Sequence, residues 1–135
     1  MIRQRAPDKA KARSIVKAAE IDMSFIEKHP TGMESGQSII RGIYENFRML
    51  GDALLISKGF ETTGLDHHNQ MINALTILKI TTSRPLLLLH ELRKLRHNIN
   101  YEGHIPNESE LKYAVEIKEA LWKPVLAEVK KEIEK

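Results

Sequence analysis

The side chains able to do chemistry concentrate in one stretch, Ser83 to Gly103, read as SRPLLLLHELRKLRHNINYEG. In it and just beyond it stand His90, Arg93, Arg96, His97, Asn98, Asn100, Tyr101 and His104. Arginines set among histidines offer groups that bind anions and transfer protons; metal-free cleavage of RNA is one reaction that would use both. That reaction needs a base to take the 2′-hydroxyl proton and a cation to hold the charged phosphorane. Arg96 suits the cation, because a planar guanidinium fork holds two phosphate oxygens. His97 and His104 suit the base, with an ordinary imidazole pKa of about 6.5. Tyr101, with an ordinary pKa of about 10, is a poor base but a good donor and a platform for a stacked nucleobase. Arg93 and His97 are four residues apart, as are Arg96 and Asn100, so each pair meets on one helix face. Arg93, Asn98 and Asn100 are the substrate-binding candidates. The structural alternative has Arg93 and Arg96 pairing with Asp52 or Glu45 to fix helix register, with His90 partly buried and Tyr101 packed at an interface.

The elements that must position these groups are helical. Ser83 suits a cap and Pro85 a first turn, where its missing N–H has no intrahelical partner. Leu88, Leu92, Leu95 and Ile99 then recur at helical spacing, and Gly103 suits the left-handed residue past the end. Earlier, Pro7 and Asp8 suit the first turn of a helix with Ala12, Ile15, Ala19, Met23 and Ile26 inward, closed by His29, Pro30, Thr31 and Gly32. Its basic face, with Arg3, Arg5, Lys9, Lys11, Arg13 and Lys17, reads as solvated surface, RNA contact being the alternative. A second helix is expected from about Glu34 to Lys58, stopped by Gly59, with Ile40, Ile43, Phe47, Leu50 and Leu54 on its buried stripe. Its polar side, Arg41, Glu45, Arg48 and Asp52, is either an exposed ion-pair ladder or, through Arg48 and Asp52, a support for the central helix.

A third helix is expected from Asp66 or His67 to about Ile80. Asp66, His67 and His68 read as a cap with exposed histidines, because neighbours on a helix point about 100° apart and share one ion poorly. The last helix starts at Asn107, with Glu110 in the capping-box position. Its stripe is Leu111, Ala114, Ile117, Leu121, Val125, Val129 and Ile133, and Pro124 predicts a kink near Lys123. Trp122 and Tyr113 read as core or dimer packing. No segment alternates with period two long enough to predict a sheet. Five helices joined by short loops predict an all-α, antiparallel up-and-down bundle.

Composition narrows the classes. The chain has 135 residues and is expected to form a single domain with a real core. It has no cysteine, hence no disulfide framework and no thiolate metal site, and no cofactor or metal is expected. With 21 basic and 18 acidic residues it carries a net charge of +3, which allows an anionic partner without demanding one. The longest leucine run, Leu86 to Leu89, is far short of a membrane span, and the N-terminus lacks a signal-peptide core, so a soluble cytoplasmic protein is expected.

The string LRKLRHNINYEG closes one helix and precedes a capped C-terminal helix. The helix before it carries Arg48 and Asp52 and exits through SKGFETTG. This arrangement resembles the HEPN superfamily, over most of the chain in helix order and length. The resemblance implies a four-helix up-and-down core with an additional helix, usually in a homodimer. Members are often metal-independent endoribonucleases, toxins, or small partners of minimal nucleotidyltransferases. Their motif is an arginine, usually a polar residue next, and a histidine after a spacer of four to six residues. Arg96 matches the arginine, and Asn98 and Tyr101 fall in the polar string. Tyr101 occupies the first place allowed to the histidine, Glu102 and Gly103 fill the others, and His104 lies one residue beyond. Two functions follow as expectations. One is an RNA-binding protein with metal-independent endoribonuclease activity, whose Arg96 works with a histidine of the second protomer. The other is a non-catalytic dimeric scaffold or nucleotidyltransferase partner in a toxin–antitoxin-like system.

Overall fold

A computed structural model describes residues 2–28 and 35–135. Along the chain come β1 (Ile2–Gln4), α1 (Lys9–Glu27), α2 (Gly36–Ser57), β2 (Phe60–Thr62), α3 (His67–Thr76), α4 (Leu88–Tyr101) and α5 (Glu108–Ile133). The chain is mostly helical, and α2 is its axis, packing against all four other helices. The reason is in its sequence. Ile40, Ile43, Phe47, Leu50 and Leu54 are buried as their spacing predicts, and Ile39, Tyr44 and Ala53 widen the stripe until it faces several neighbours at once. Phe47 meets Trp122 of α5 edge to face, with ring centroids 5.2 Å apart. Val16 joins Ala12, Ala19 and Met23 on the buried side of α1, while Ile15 and Ile26 are half-buried.

The helix ends follow local chemistry. The Asp8 carboxylate accepts from the Lys11 N–H at 2.9 Å, so Asp8 is the cap of α1 and Pro7 lies before the helix rather than in its first turn. The expected end of that helix at residues 29–32 lies outside the described residues, as does the expected start of α2 at Glu34. Gly59 and Gly103 take φ of +84° and +67°, which stops α2 and α4 where the glycines predict. The Asn107 side chain accepts from the Glu110 N–H at 2.8 Å and the Glu110 carboxylate accepts from the Asn107 N–H at 3.0 Å, completing the capping box of α5. From there α5 continues through Pro124 to Ile133.

Three further expectations are corrected. First, the described residues include a strand pair: β1 and β2 run antiparallel with Ile2 opposite Thr62 and Gln4 opposite Phe60. Three-residue strands are too short to show a period, and their pairing joins segments distant in sequence. Arg3 therefore belongs to β1, and Arg5 to the residues just after it, rather than to a helical basic face. Second, α3 ends at Thr76, not Ile80. The Thr76 hydroxyl donates to the Asn73 carbonyl at 3.0 Å, and the β-branched run from Ile80 to Thr82 is a poor helix former. Third, α4 begins at Leu88 without a side-chain cap. Ser83 and Pro85 precede it, and a tight turn leads in, with the Leu88 N–H donating to the Pro85 carbonyl. Starting there, α4 buries Leu89, Leu92 and Ile99, while Leu88 and Leu95 are half-buried. No helix among the described residues is long and apolar enough to cross a membrane.

Candidate functional site: an arginine held between two tyrosines

Helices α3 and α4 lie side by side against α2, and a cleft of about 360 Å³ opens between them. Its lining includes His67 and His68 of α3 and Arg93, Arg96, His97 and Tyr101 of α4. The last four share it because they recur at intervals of three, one and four residues, which keeps them on one side of the helix. A larger cleft, of about 790 Å³, lies at the far ends of α2, α3 and α5 and contains none of this polar cluster.

Arg96 is the centre of the site. Its guanidinium carbon lies 5.5 Å from the ring centroid of Tyr44 and 5.7 Å from that of Tyr101. No carboxylate among the described residues pairs with it. Two aromatic faces therefore hold the cation in place and leave its five donors for a ligand. The structural alternative of register pairing is not what the fold builds. Glu45 is engaged by Arg48, whose Nε donates to it at 3.0 Å. Asp52 lines a separate cleft with Arg5, Asp8 and Lys11.

Arg93 is set by a relay. Its Nε donates to His90 Nδ1 at 3.3 Å, and His90 Nε2 is 2.7 Å from the Asn73 side-chain oxygen. With Nδ1 accepting, the His90 proton sits on Nε2 and reaches Asn73, which ties α4 to α3. Burial, then Arg93 and Lys94, hold His90 below the usual imidazole range, in keeping with this neutral structural role.

His97 and Tyr101 pack against each other at the mouth, their ring centroids 4.9 Å apart. Tyr101 is 65 % exposed, enough for a nucleobase to reach its face. The other candidates lie elsewhere. The Asn100 oxygen accepts from Arg41 Nε at 2.6 Å, tying α4 to α2. Asn98 is exposed and lies outside the cleft lining, and its carbonyl takes the N–H groups of Glu102 and His104. His104 has turned away: past the left-handed Gly103 the chain heads for α5, and His104 Nε2 lies 2.8 Å from Glu110. Within one chain, Arg96 and His97 share the cleft and His104 does not. Asp52 does not support α4 either. Its half-buried carboxyl is raised by burial against the pull of Arg48 and Lys11. Arg48 stays near the site, with its Nη1 3.1 Å from the Met71 sulfur.

Two residues of the site escaped the sequence reading. Tyr44 of α2 is fully buried, and its hydroxyl lies 2.9 Å from His68 Nδ1. His68 is half-buried rather than exposed, and it stacks on the exposed His67 with centroids 4.6 Å apart. A signal for Tyr44 existed: it falls between Ile40 and Phe47 on the α2 stripe, and a buried tyrosine needs a partner for its hydroxyl. Burial pushes the Tyr44 phenol up to about 12 against the opposing pull of Arg96, Arg48 and Arg93, so it is un-ionised at neutral pH. Burial, then Arg48, His67 and Arg96, push His68 down to about 4.

The His68 shift fixes a pH dependence. Between about pH 6.5 and 4 the unfolded chain binds a proton at this histidine that the folded chain refuses, so stability is complete above that window and falls with pH through it. With solvent screening at a half-buried site, the expected loss from about pH 7 to about pH 4.5 is of order 1–2 kcal/mol. Urea unfolding of wild type and His68→Gln at both pH values measures it. The variant is expected to show a shallower pH dependence; equal dependence in the two proteins contradicts the assignment.

Half of the six basic residues near the N-terminus, Arg5, Lys9 and Arg13, have partners for their side chains among the described residues. Arg13 makes a two-pronged bond to Glu134, at 2.6 and 2.8 Å, and Arg5 pairs with Glu61. Among the described residues, no group of three or more His, Asp or Glu is placed to hold a metal ion. Comparison of the chain with protein-family models, with curated proteins and with solved structures finds no match.

Proposed function

We propose that this chain is an RNA-directed protein of HEPN type, whose α3/α4 cleft binds an RNA strand through Arg93 and Arg96 and cleaves it without metal. In this reading the helices form an antiparallel up-and-down four-helix core with one additional helix, and two chains pair as a homodimer. The observation that carries the reading is Arg96: a half-buried cation held between two tyrosine rings, with no carboxylate among the described residues to neutralise it. A phosphate is the ligand such a fork suits, and the Tyr101 face beside it suits a base. In the cleavage step the 2′-oxygen attacks phosphorus and gives its proton to His97. Arg96 holds the non-bridging oxygens of the phosphorane, and the P–O5′ bond breaks as the 5′-oxygen takes a proton from water at the open mouth. His97 then returns its proton to solvent.

Binding and cleavage of a labelled single-stranded RNA pool in chelator test this reading. Each phosphate contact contributes about 0.7 to the slope of log affinity against log salt, so the Arg93→Ala/Arg96→Ala double variant is expected to lose about 1.4 of that slope. RNA binding with the same salt slope in both proteins would remove the cleft from consideration.

One observation favours a second reading. His104 is bound to Glu110 and not to the Arg96 cluster, and no histidine stands at 101–103. On that reading the chain is a non-catalytic dimeric scaffold or a nucleotidyltransferase partner. RNA binding without cleavage, or no RNA binding at all, is its expected signature.

A further inference from the structure

We infer that Tyr44 is a positioning residue that locks His68 in the tautomer with its proton on Nε2, making His68 a neutral hydrogen-bond donor to an anionic oxygen bound beside Arg96. The ligand named here, an RNA phosphate, rests on the function proposed above; the tautomer does not.

The inference starts from a count of donors and acceptors. The Tyr44 side chain is 0 % exposed, and its hydroxyl has one hydrogen-bond partner among the described residues, His68 Nδ1 at 2.9 Å. A phenol has a single proton, and a buried donor left without an acceptor is costly. If Nδ1 carried the ring proton, the Tyr44 proton would have no acceptor. If Tyr44 donates, Nδ1 accepts and the ring proton belongs on Nε2, which has no partner among the described residues. The surroundings favour the same choice. Burial keeps the Tyr44 proton on the phenol, and Arg96, 5.5 Å from the ring centroid, with Arg48 and Arg93, only partly opposes this, so the hydroxyl has a proton to donate. Burial, then Arg48, His67 and Arg96, oppose a second proton on His68, so the ring stays a neutral donor and is not a base. The function proposed above gives the proton-accepting role to His97, at the exposed mouth of the cleft, and not to His68. Tyr44 is on α2 and His68 on α3, so this one bond also fixes where α3 presents its histidine to α4.

The test is a long-range ¹H–¹⁵N spectrum of histidine-labelled protein near neutral pH, with His68→Gln identifying the signal. In wild type His68 is expected to be neutral, with Nδ1 unprotonated and Nε2 protonated. Tyr44→Phe keeps the ring beneath Arg96 and removes only the hydroxyl, and it is expected to turn this single form into a mixture of tautomers. A protonated Nδ1 in wild type, or an unchanged tautomer in Tyr44→Phe, overturns the inference. The donor role is read with a 2′-deoxy-substituted, uncleavable oligonucleotide. Its binding is expected to move the His68 Nε2 signal, and to weaken about tenfold in Tyr44→Phe and in His68→Ala, with partial recovery in His68→Gln, whose amide N–H reaches the place of Nε2–H. Tight binding that leaves the Nε2 signal unmoved overturns the donor role. An oligonucleotide that binds neither wild type nor variants overturns the RNA reading instead, while the tautomer result still decides the role of Tyr44.

Discussion

Arg96→Ala is expected to lower metal-free RNA cleavage by about 100-fold or more while leaving the fold intact. Removing one preorganised donor from a transition-state oxyanion commonly costs two to three orders of magnitude in rate. The fold should tolerate the change because Arg96 has no carboxylate partner among the described residues, so its loss strands no buried charge there. What disappears is its contact with the Tyr44 and Tyr101 rings, of about 0.5–1 kcal/mol each at a partly exposed site. The melting temperature is therefore expected to move by no more than several degrees. Cleavage rates in chelator, measured beside thermal unfolding of the same preparations, separate the two effects. Arg96→Lys sharpens the test: a point charge keeps the attraction for phosphate but loses the fork, so binding should survive better than cleavage. Equal cleavage by wild type and Arg96→Ala sinks the catalytic reading.

The largest stability effect is expected at Gly51. A Cβ at this position would lie 2.1 Å from the Met71 carbonyl oxygen and 2.7 Å from its carbon. Both are backbone atoms of α3, so no side chain can swing aside; Gly51→Ala must push α2 and α3 apart. Overpacking of a tight core costs about 1–3 kcal/mol where neighbours yield, and a backbone contact this close places Gly51→Ala at about 3 kcal/mol or more. Because α3 carries His67 and His68, the separation is also expected to loosen the Tyr44–His68 bond and weaken ligand binding in the cleft. Gly103→Ala is the control. Nothing lies within 4 Å of its would-be Cβ, so only the left-handed backbone at φ +67° resists, at a cost of about 1 kcal/mol. Urea midpoints of the two variants measure the contrast. A Gly51→Ala midpoint close to that of Gly103→Ala would show that the two helices are not in backbone contact.

The sequence by itself determined what depends on neighbours a few residues away. The α2 stripe from Ile40 to Leu54, the Asn107–Glu110 capping box and the stops at Gly59 and Gly103 are local properties, set by helical period, side-chain reach and backbone sterics. So is the shared face of Arg93, Arg96, His97 and Tyr101. Tertiary structure decided what depends on packing across the chain. It withdrew His104 to Glu110, gave Asn100 to Arg41, sent Asp52 to another cleft and let β1 find β2. It also built the Tyr44–His68 bond between helices whose sequences say nothing of each other, because the close approach at Gly51 sets the distance between them. Periodicity says which face of a helix is buried. Which partner that face meets is settled only when all the faces are buried together.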